Sequence, residues 1–259
     1  MTGLLASPLG LLIGLALGAL GGGGSVLAVP ALVYVAGQTP QAATATSLVV
    51  VGLTSVGGLW LHARNGHVVW TSGAVFGAAG IVGSLLGTRL NQALAPQALL
   101  LAFAVLMLVV AGVMLRRGNG TGQETAEDET GPRSRLRTAG KVAVLGSSVG
   151  LLTGLFGVGG GFVVVPALAL ALGFSMPLAI GTSLLVIIIN TVTALLARLA
   201  GPGVEWAVAL PFSVAGLLGV WAGTRLADRL PAAQLTRAFA LLLIAVAAYQ
   251  GFDAARSLL

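Results

Sequence analysis

The sequence predicts an all-α polytopic membrane protein of about eight apolar segments in two homologous halves, with the first helix of each half broken or re-entrant. Three observations predict it. Hydrophobic residues make up 57% of the 259 and charged residues 8%, with a mean hydropathy of +1.02, whereas a soluble domain is about a quarter charged. Residues 1–63 and 142–197 contain no Lys, Arg, Asp or Glu, so neither stretch has the solvated face a soluble fold needs. Finally, GALGGGGSVLAVPAL from Gly18 to Leu32 returns as GLFGVGGGFVVVPAL from Gly154 to Leu168.

The repeat extends well beyond that motif. Pro30 pairs with Pro166, an offset of 136 residues that holds without a gap. It brings Gly10, Gly14 and Gly18 onto Gly146, Gly150 and Gly154, Thr46-Ser47 onto Thr182-Ser183, and Gly87-Thr88-Arg89-Leu90 onto Gly223-Thr224-Arg225-Leu226. Internal duplication of this kind is common in transporter folds. The domains expected are a first membrane repeat over 1–115, a hydrophilic linker over 116–141 and a second membrane repeat over 142–259.

Each half opens with an apolar segment, about 5–36 and 142–172, that is too long for one crossing of roughly 20 residues. Its glycines and proline interrupt the helix. Freed backbone groups cannot face lipid, so the interruption must be buried in protein or line a watery cavity. The segment is either a tilted, broken crossing helix or a re-entrant hairpin. In the first case each half has four spans and the halves run parallel; in the second each has three and the halves are inverted. Three further segments follow in each half, about 41–61, 69–90 and 97–115, then 177–197, 205–226 and 234–252.

The linker carries Glu124, Glu127, Asp128 and Glu129 and then Arg133, Arg135 and Arg137, the composition of a flexible loop. Six of the thirteen basic residues lie between Arg116 and Lys141. That clustering marks the loop as cytoplasmic and does not make the surface that nucleic acid requires, so nucleic acid is not expected as a partner. The absence of cysteine excludes disulfides, thiolate metal sites and cysteine nucleophiles. No cofactor or metal is expected. The N-terminal apolar stretch lacks a positive n-region and reads as mature protein.

The candidate substrate site is the pair of interruptions. Gly21, Gly22, Gly23 and Gly24, matched by Gly157, Gly159, Gly160 and Gly161, allow positive φ and close approach of backbone to a ligand. A helix restarting there offers unpaired N–H groups to a small oxyanion. Ser25 can cap that half-helix or donate to the ligand, and Pro30 and Pro166 are the structural breaks. Thr46, Ser47, Thr182 and Ser183 open the next segment and can face the broken helix, or bond their own backbone. Asn190, deep in LVIIINTVTALLA, needs a partner or a cavity. Gly10, Gly14 and Gly18, four residues apart, suit close helix packing better than binding.

Arg89 and Arg225 end the third segment of each half, as snorkelling anchors or as a cationic vestibule. His62 and His67 lie at another segment end, where histidines are more often interfacial than proton relays. Every Asp and Glu falls in a loop or at a segment end. Without an embedded carboxylate, a cation pump or a carboxylate-based proton antiporter is disfavoured and an anion is the favoured substrate. No P-loop Lys-Ser/Thr follows either glycine run, and no protease constellation is visible, so an enzyme is not expected.

These doubled motifs resemble the TauE/SafE family of sulfite and organosulfonate exporters, the TSUP membrane transporters, over nearly the whole chain apart from the linker. The resemblance implies a multi-pass transporter of the bacterial inner membrane for a small sulfur-containing anion such as sulfite, thiosulfate or an organosulfonate. It carries over only the positions that match the family's motif: Gly21 to Ser25, Gly157, Gly159 to Gly161, Thr46, Ser47, Thr182 and Ser183, with Pro30 and Pro166 as the breaks. The expected mode is alternating access with the anion near mid-membrane, or alternatively an anion-selective channel. The partners are the anion and the lipid bilayer, with homo-oligomerisation left open.

Overall fold

Apolar length becomes helix throughout the chain, because in lipid each backbone N–H and C=O must be satisfied within its own segment. The computed structural model describes residues 2–34, 36–38, 40–91, 96–117, 132–156, 161–197 and 204–256; among them the side chains of some helical residues, Pro30 and Arg89 included, are not described. Gly157, Gly159 and Gly160 lie outside the described residues. The helices are α1 (Thr2–Leu20), α2 (Ala28–Tyr34), α3 (Pro40–Arg64), α4 (Trp70–Asn91), α5 (Pro96–Arg117), α6 (Pro132–Phe156), α7 (Gly161–Pro166), α8 (Met176–Ala197), α9 (Trp206–Ala227) and α10 (Ala232–Arg256). A 3-10 helix (Gly21–Leu27) joins α1 to α2, and a π-helical turn (Ala167–Ala171) follows α7. No strand occurs among the described residues.

Five described stretches are long and apolar enough to cross a bilayer: Ala45–Arg64, Trp70–Gly87, Met176–Leu196, Trp206–Ala227 and Ala232–Tyr249. The arms around the two interruptions are shorter, among them Pro8–Leu20 and Gly161–Ala171. Large apolar side chains such as Trp60, Leu85, Val144, Leu196, Leu218 and Leu241 point outward, the surface expected to face lipid tails. The chain is an all-helical polytopic membrane protein. One segment differs from its sequence expectation: α6 begins at Pro132, so the basic end of the linker is helical. Proline suits the first helical position, where its missing N–H costs nothing, and Arg, Leu, Ala and Lys are good helix formers.

The packing shows how the segments run. α1 packs chiefly on α9, and α4 on α6. A methyl group added at Gly10, Gly14 or Gly18 would fall on the carbonyl of Phe212, Gly216 or Val220 in turn. Both helices therefore run in the same direction, with the glycine stripe letting the backbones touch. Gly146 and Gly150 meet the Phe76 and Gly80 carbonyls in the same manner, at the repeat offset. These stripes pack helices, as their spacing suggests.

α3 lies on α9 in the same sense, with Thr54 beside Gly216 and Gly58 beside Val220. Against α8 it runs the other way: Gly52 meets Thr191, Gly58 meets Leu184, and the His62 side chain meets Gly181. Since α3 and α8 are equivalent segments of the two halves, the halves are inverted. The start of α3 also explains the first segment. Gln38 donates to Glu205 at the beginning of α9, whereas Gly18 lies near the end of α9. The chain between them comes back, so α1, the 3-10 helix and α2 form a re-entrant hairpin. Gly21, at φ 64°, turns it, and Gly24, just past the turn, packs back on the backbone of Ala16 and Leu17 in the ingoing arm α1.

Candidate functional site

Inversion brings the two interruptions together in the interior. A methyl group at Gly22 would strike the Gly161 carbonyl, and one at Gly161 would come within 2.7 Å of the Ser25 hydroxyl and 2.9 Å of the Gly22 carbonyl. Only glycine at both positions allows this approach. The hydroxyls around the contact hold the turn. Ser183, fully buried on α8, accepts the Gly22 N–H at 3.3 Å and donates to the Ile180 carbonyl at 2.7 Å. Ser25 donates to the Gly22 carbonyl at 2.7 Å. Thus Gly21, Gly22, Ser25, Gly161 and Ser183 form one cluster drawn from both halves.

The remaining sequence candidates lie elsewhere. Thr182 is buried and accepts the Val69 N–H at 3.0 Å, fastening the α3–α4 connection to α8. Thr46 accepts from the Glu205 N–H at 3.4 Å, at the opposite end of the molecule. Ser47 is buried beside it in sequence. Asn190 faces Gly80 of α4, and its repeat equivalent Thr54 faces Gly216 of α9. Thr54 bonds its own helix, at the Val50 carbonyl, 2.6 Å away, the alternative foreseen for a membrane hydroxyl. Pro166 closes α7 immediately before the π-helical turn. Arg225 is turned outward with its guanidinium 3.7 Å over the Trp221 ring, and on α3 Arg64 sits 4.9 Å over the ring of Trp60, one turn earlier in the same helix. Such stacks suit the headgroup level of a bilayer.

Two features are missing from the sequence reading. Ser55 is completely buried on α3, and its hydroxyl has no hydrogen-bond partner. Its repeat equivalent is Thr191, buried on α8. The second is a cavity of about 400 Å³ at the end of α3, lined by His62, Asn65, His67 and Asp228 together with apolar groups such as Pro177 and Ile180. Asn65 donates to Asp228 at 2.8 Å, and His67 lies 4.0 Å from the same carboxylate. His62 is 1% exposed, which is not the surface position its place at a helix end suggests. A polar residue paired across the repeat, as at positions 55 and 191, is the one signal that points to Ser55. Nothing local joins Asp228 to His67.

The family model for the sulfite exporter TauE/SafE matches residues 6–250. The chain belongs to the TauE/SafE family. A "Probable membrane transporter protein" of Xylella fastidiosa (strain Temecula1 / ATCC 700964) is 41% identical to this TauE/SafE member over 241 residues, covering 92% of this chain and 90% of the relative. The "Probable membrane transporter protein YunE" of Bacillus subtilis (strain 168) is 28% identical over 240 residues, covering 86% and 84%. No solved structure matches the TauE/SafE chain.

Proposed function

We propose that this TauE/SafE protein is a secondary transporter, not an enzyme, that moves a small sulfur-containing anion (sulfite, thiosulfate or an organosulfonate) across the bacterial inner membrane by alternating access. The observation that carries the reading is the contact of the two interruptions at Gly22 and Gly161. Inverted repeats that meet through discontinuous helices are the arrangement in which one half rocks against the other around a shared site. The cluster supplies backbone N–H groups and the Ser25 and Ser183 hydroxyls, with Gly157, Gly159 and Gly160 of the second glycine run as the proposed counterpart. Its surroundings suit an anion: neither interruption, nor α8 beside them, carries an Asp or Glu.

A channel built from the same N–H groups needs an open path. Backbone contact between Gly22 and Gly161, with Ser25 and Ser183 buried, favours a site exposed to each side in turn. The decisive experiment is counterflow in proteoliposomes. Unlabelled sulfite, thiosulfate or a short sulfonate inside the vesicle should accelerate entry of the radiolabelled anion. If none of the three moves faster than in empty liposomes, the reading fails, and passage at single-channel rates without counterflow makes the protein a channel.

A further inference from the structure

The cavity at the end of α3 holds two histidines and a carboxylate for which anion binding provides no use. His62 Nε2 is 3.1 Å from the Gly18 carbonyl oxygen. A carbonyl only accepts, so Nε2 carries the hydrogen and Nδ1 presents a lone pair. That Nδ1 is buried and has no partner, and the ring lines the cavity. The His67 ring is 5.8 Å away, centroid to centroid. The His67 side chain is 29% exposed and lies 4.0 Å from the carboxylate of Asp228, which is 34% exposed.

We propose that His62 is the binding site for a coupling proton, delivered from solvent through His67 and compensated by Asp228. This rests on the transporter reading and adds a second transported ion to it. The step is a proton transfer alone. A proton from solvent on the cavity side passes by way of His67 to the Nδ1 lone pair of His62, turning a neutral ring into an imidazolium, and Nδ1 gives it up to water on the opposite face once the hairpin has moved, leaving the ring neutral again.

The groups that face His62 come from each helix packed around it. α1 offers the Gly18 carbonyl close to its C-terminal end, where the helix dipole favours a cation. α8 contributes uncharged Ile180 and Gly181. The end of α9 contributes Asp228; Arg225, on the same helix, is held outward over Trp221. Arg64, on the same helix as His62, is held over Trp60. α10 places apolar Leu235 on the cavity, while Arg237 is exposed. Asp228 thus supplies the negative charge that faces the two rings.

Proton binding also acts on the transport machinery. It turns the His62–Gly18 hydrogen bond into a charge-assisted one, which is roughly twice as strong. Gly18 lies three residues before the turn at Gly21, whose neighbour Gly22 bonds Ser183. A protonated His62 therefore holds the re-entrant hairpin in the position seen here, and movement of the hairpin releases the proton. Anion position and proton occupancy become one equilibrium.

The protein has two histidines, so isotope-labelled histidine reports on this site alone. Nitrogen NMR of the His67→Asn protein in lipid should show His62 Nε2 protonated throughout and Nδ1 gaining a proton on acidification. An Nδ1 signal that stays constant over the whole pH range in which the protein remains folded overturns the proposal. In proteoliposomes, a pH gradient should drive sulfite or thiosulfate accumulation in the native protein. His62→Gln keeps an N–H for the Gly18 carbonyl; it should retain counterflow but lose about tenfold in gradient-driven accumulation, a typical size for coupling between two sites. If counterflow occurs yet the gradient drives nothing, or His62→Gln still responds to it, the proton site is wrong and the transporter reading stands. If none of the anions moves, the transporter reading fails, and the NMR titration alone decides whether His62 is a proton site.

Discussion

Ser55 carries a hydroxyl that its neighbours leave unsatisfied, whereas Ser183 spends its hydroxyl twice, on the Gly22 N–H and the Ile180 carbonyl. The difference makes the two serines a controlled pair. Ser183→Ala leaves a buried N–H without an acceptor, which costs about 1–3 kcal/mol, so the melting temperature in detergent should fall together with anion counterflow. Ser55→Ala removes an unpaired polar group from the interior. It should leave the melting temperature unchanged or raise it, by up to about 1 kcal/mol of stability, while lowering counterflow if the hydroxyl meets the anion. Unchanged flux in Ser55→Ala, measured alongside a lower flux in Ser183→Ala, would remove Ser55 from the pathway. The serine at 183 was legible because Thr-Ser recurs in both halves. Ser55 was not, because one hydroxyl in an apolar helix usually bonds its own backbone, as Thr54 does here, and only the folded neighbours show which hydroxyl does not.

Glycines in the same kind of apolar helix serve opposite ends. At Gly14 a methyl group would land on the Gly216 carbonyl, so α1 and α9 would have to part along their length. Gly14→Ala should destabilise by about 1–3 kcal/mol, the range for overpacking. Gly112 on α5 has nothing within 4 Å of a methyl group. Gly112→Ala should stabilise by about 0.4–1 kcal/mol through the lost freedom of the unfolded chain. Thermal unfolding of the two variants in one detergent checks both signs, and a stabilised Gly14→Ala would mean that α1 and α9 are not in backbone contact. Helix positions were legible from apolar length, and the packing role of Gly10, Gly14 and Gly18 from their spacing. The direction of the returning arm was not. A glycine run permits a kink and a reversal alike, and the choice is made by partners more than a hundred residues away, such as Ser183 for Gly22.

The reversal at Gly21 fixes the topology of the whole molecule. Since α1 and α2 go in and return, α3 ends at the level where α9 ends, and Asn65 reaches Asp228. Glu205, at the start of α9, is left at the other end with Gln38. α6 runs alongside α4 in the same direction, so the linker before it joins at the Asn65 end. A parallel arrangement with four crossings per half would instead put Asn65 and Glu205 on one face and Asp228 on the other. The chain has no cysteine, so single cysteines can be added without a background. In sealed right-side-out and inverted vesicles, Asn65→Cys, Asp228→Cys and a cysteine replacing Thr121 in the linker should react with an impermeant maleimide from one face. Glu205→Cys should react from the opposite face. By the positive-inside rule, the six basic residues from Arg116 to Lys141 predict that the first face, and the His62 cavity with it, is cytoplasmic, so that the first three cysteines should react in inverted vesicles. Labelling of Asn65→Cys and Glu205→Cys from the same face would show that the first segment crosses, and would remove both the inverted halves and the meeting of the two interruptions on which the transport mechanism depends.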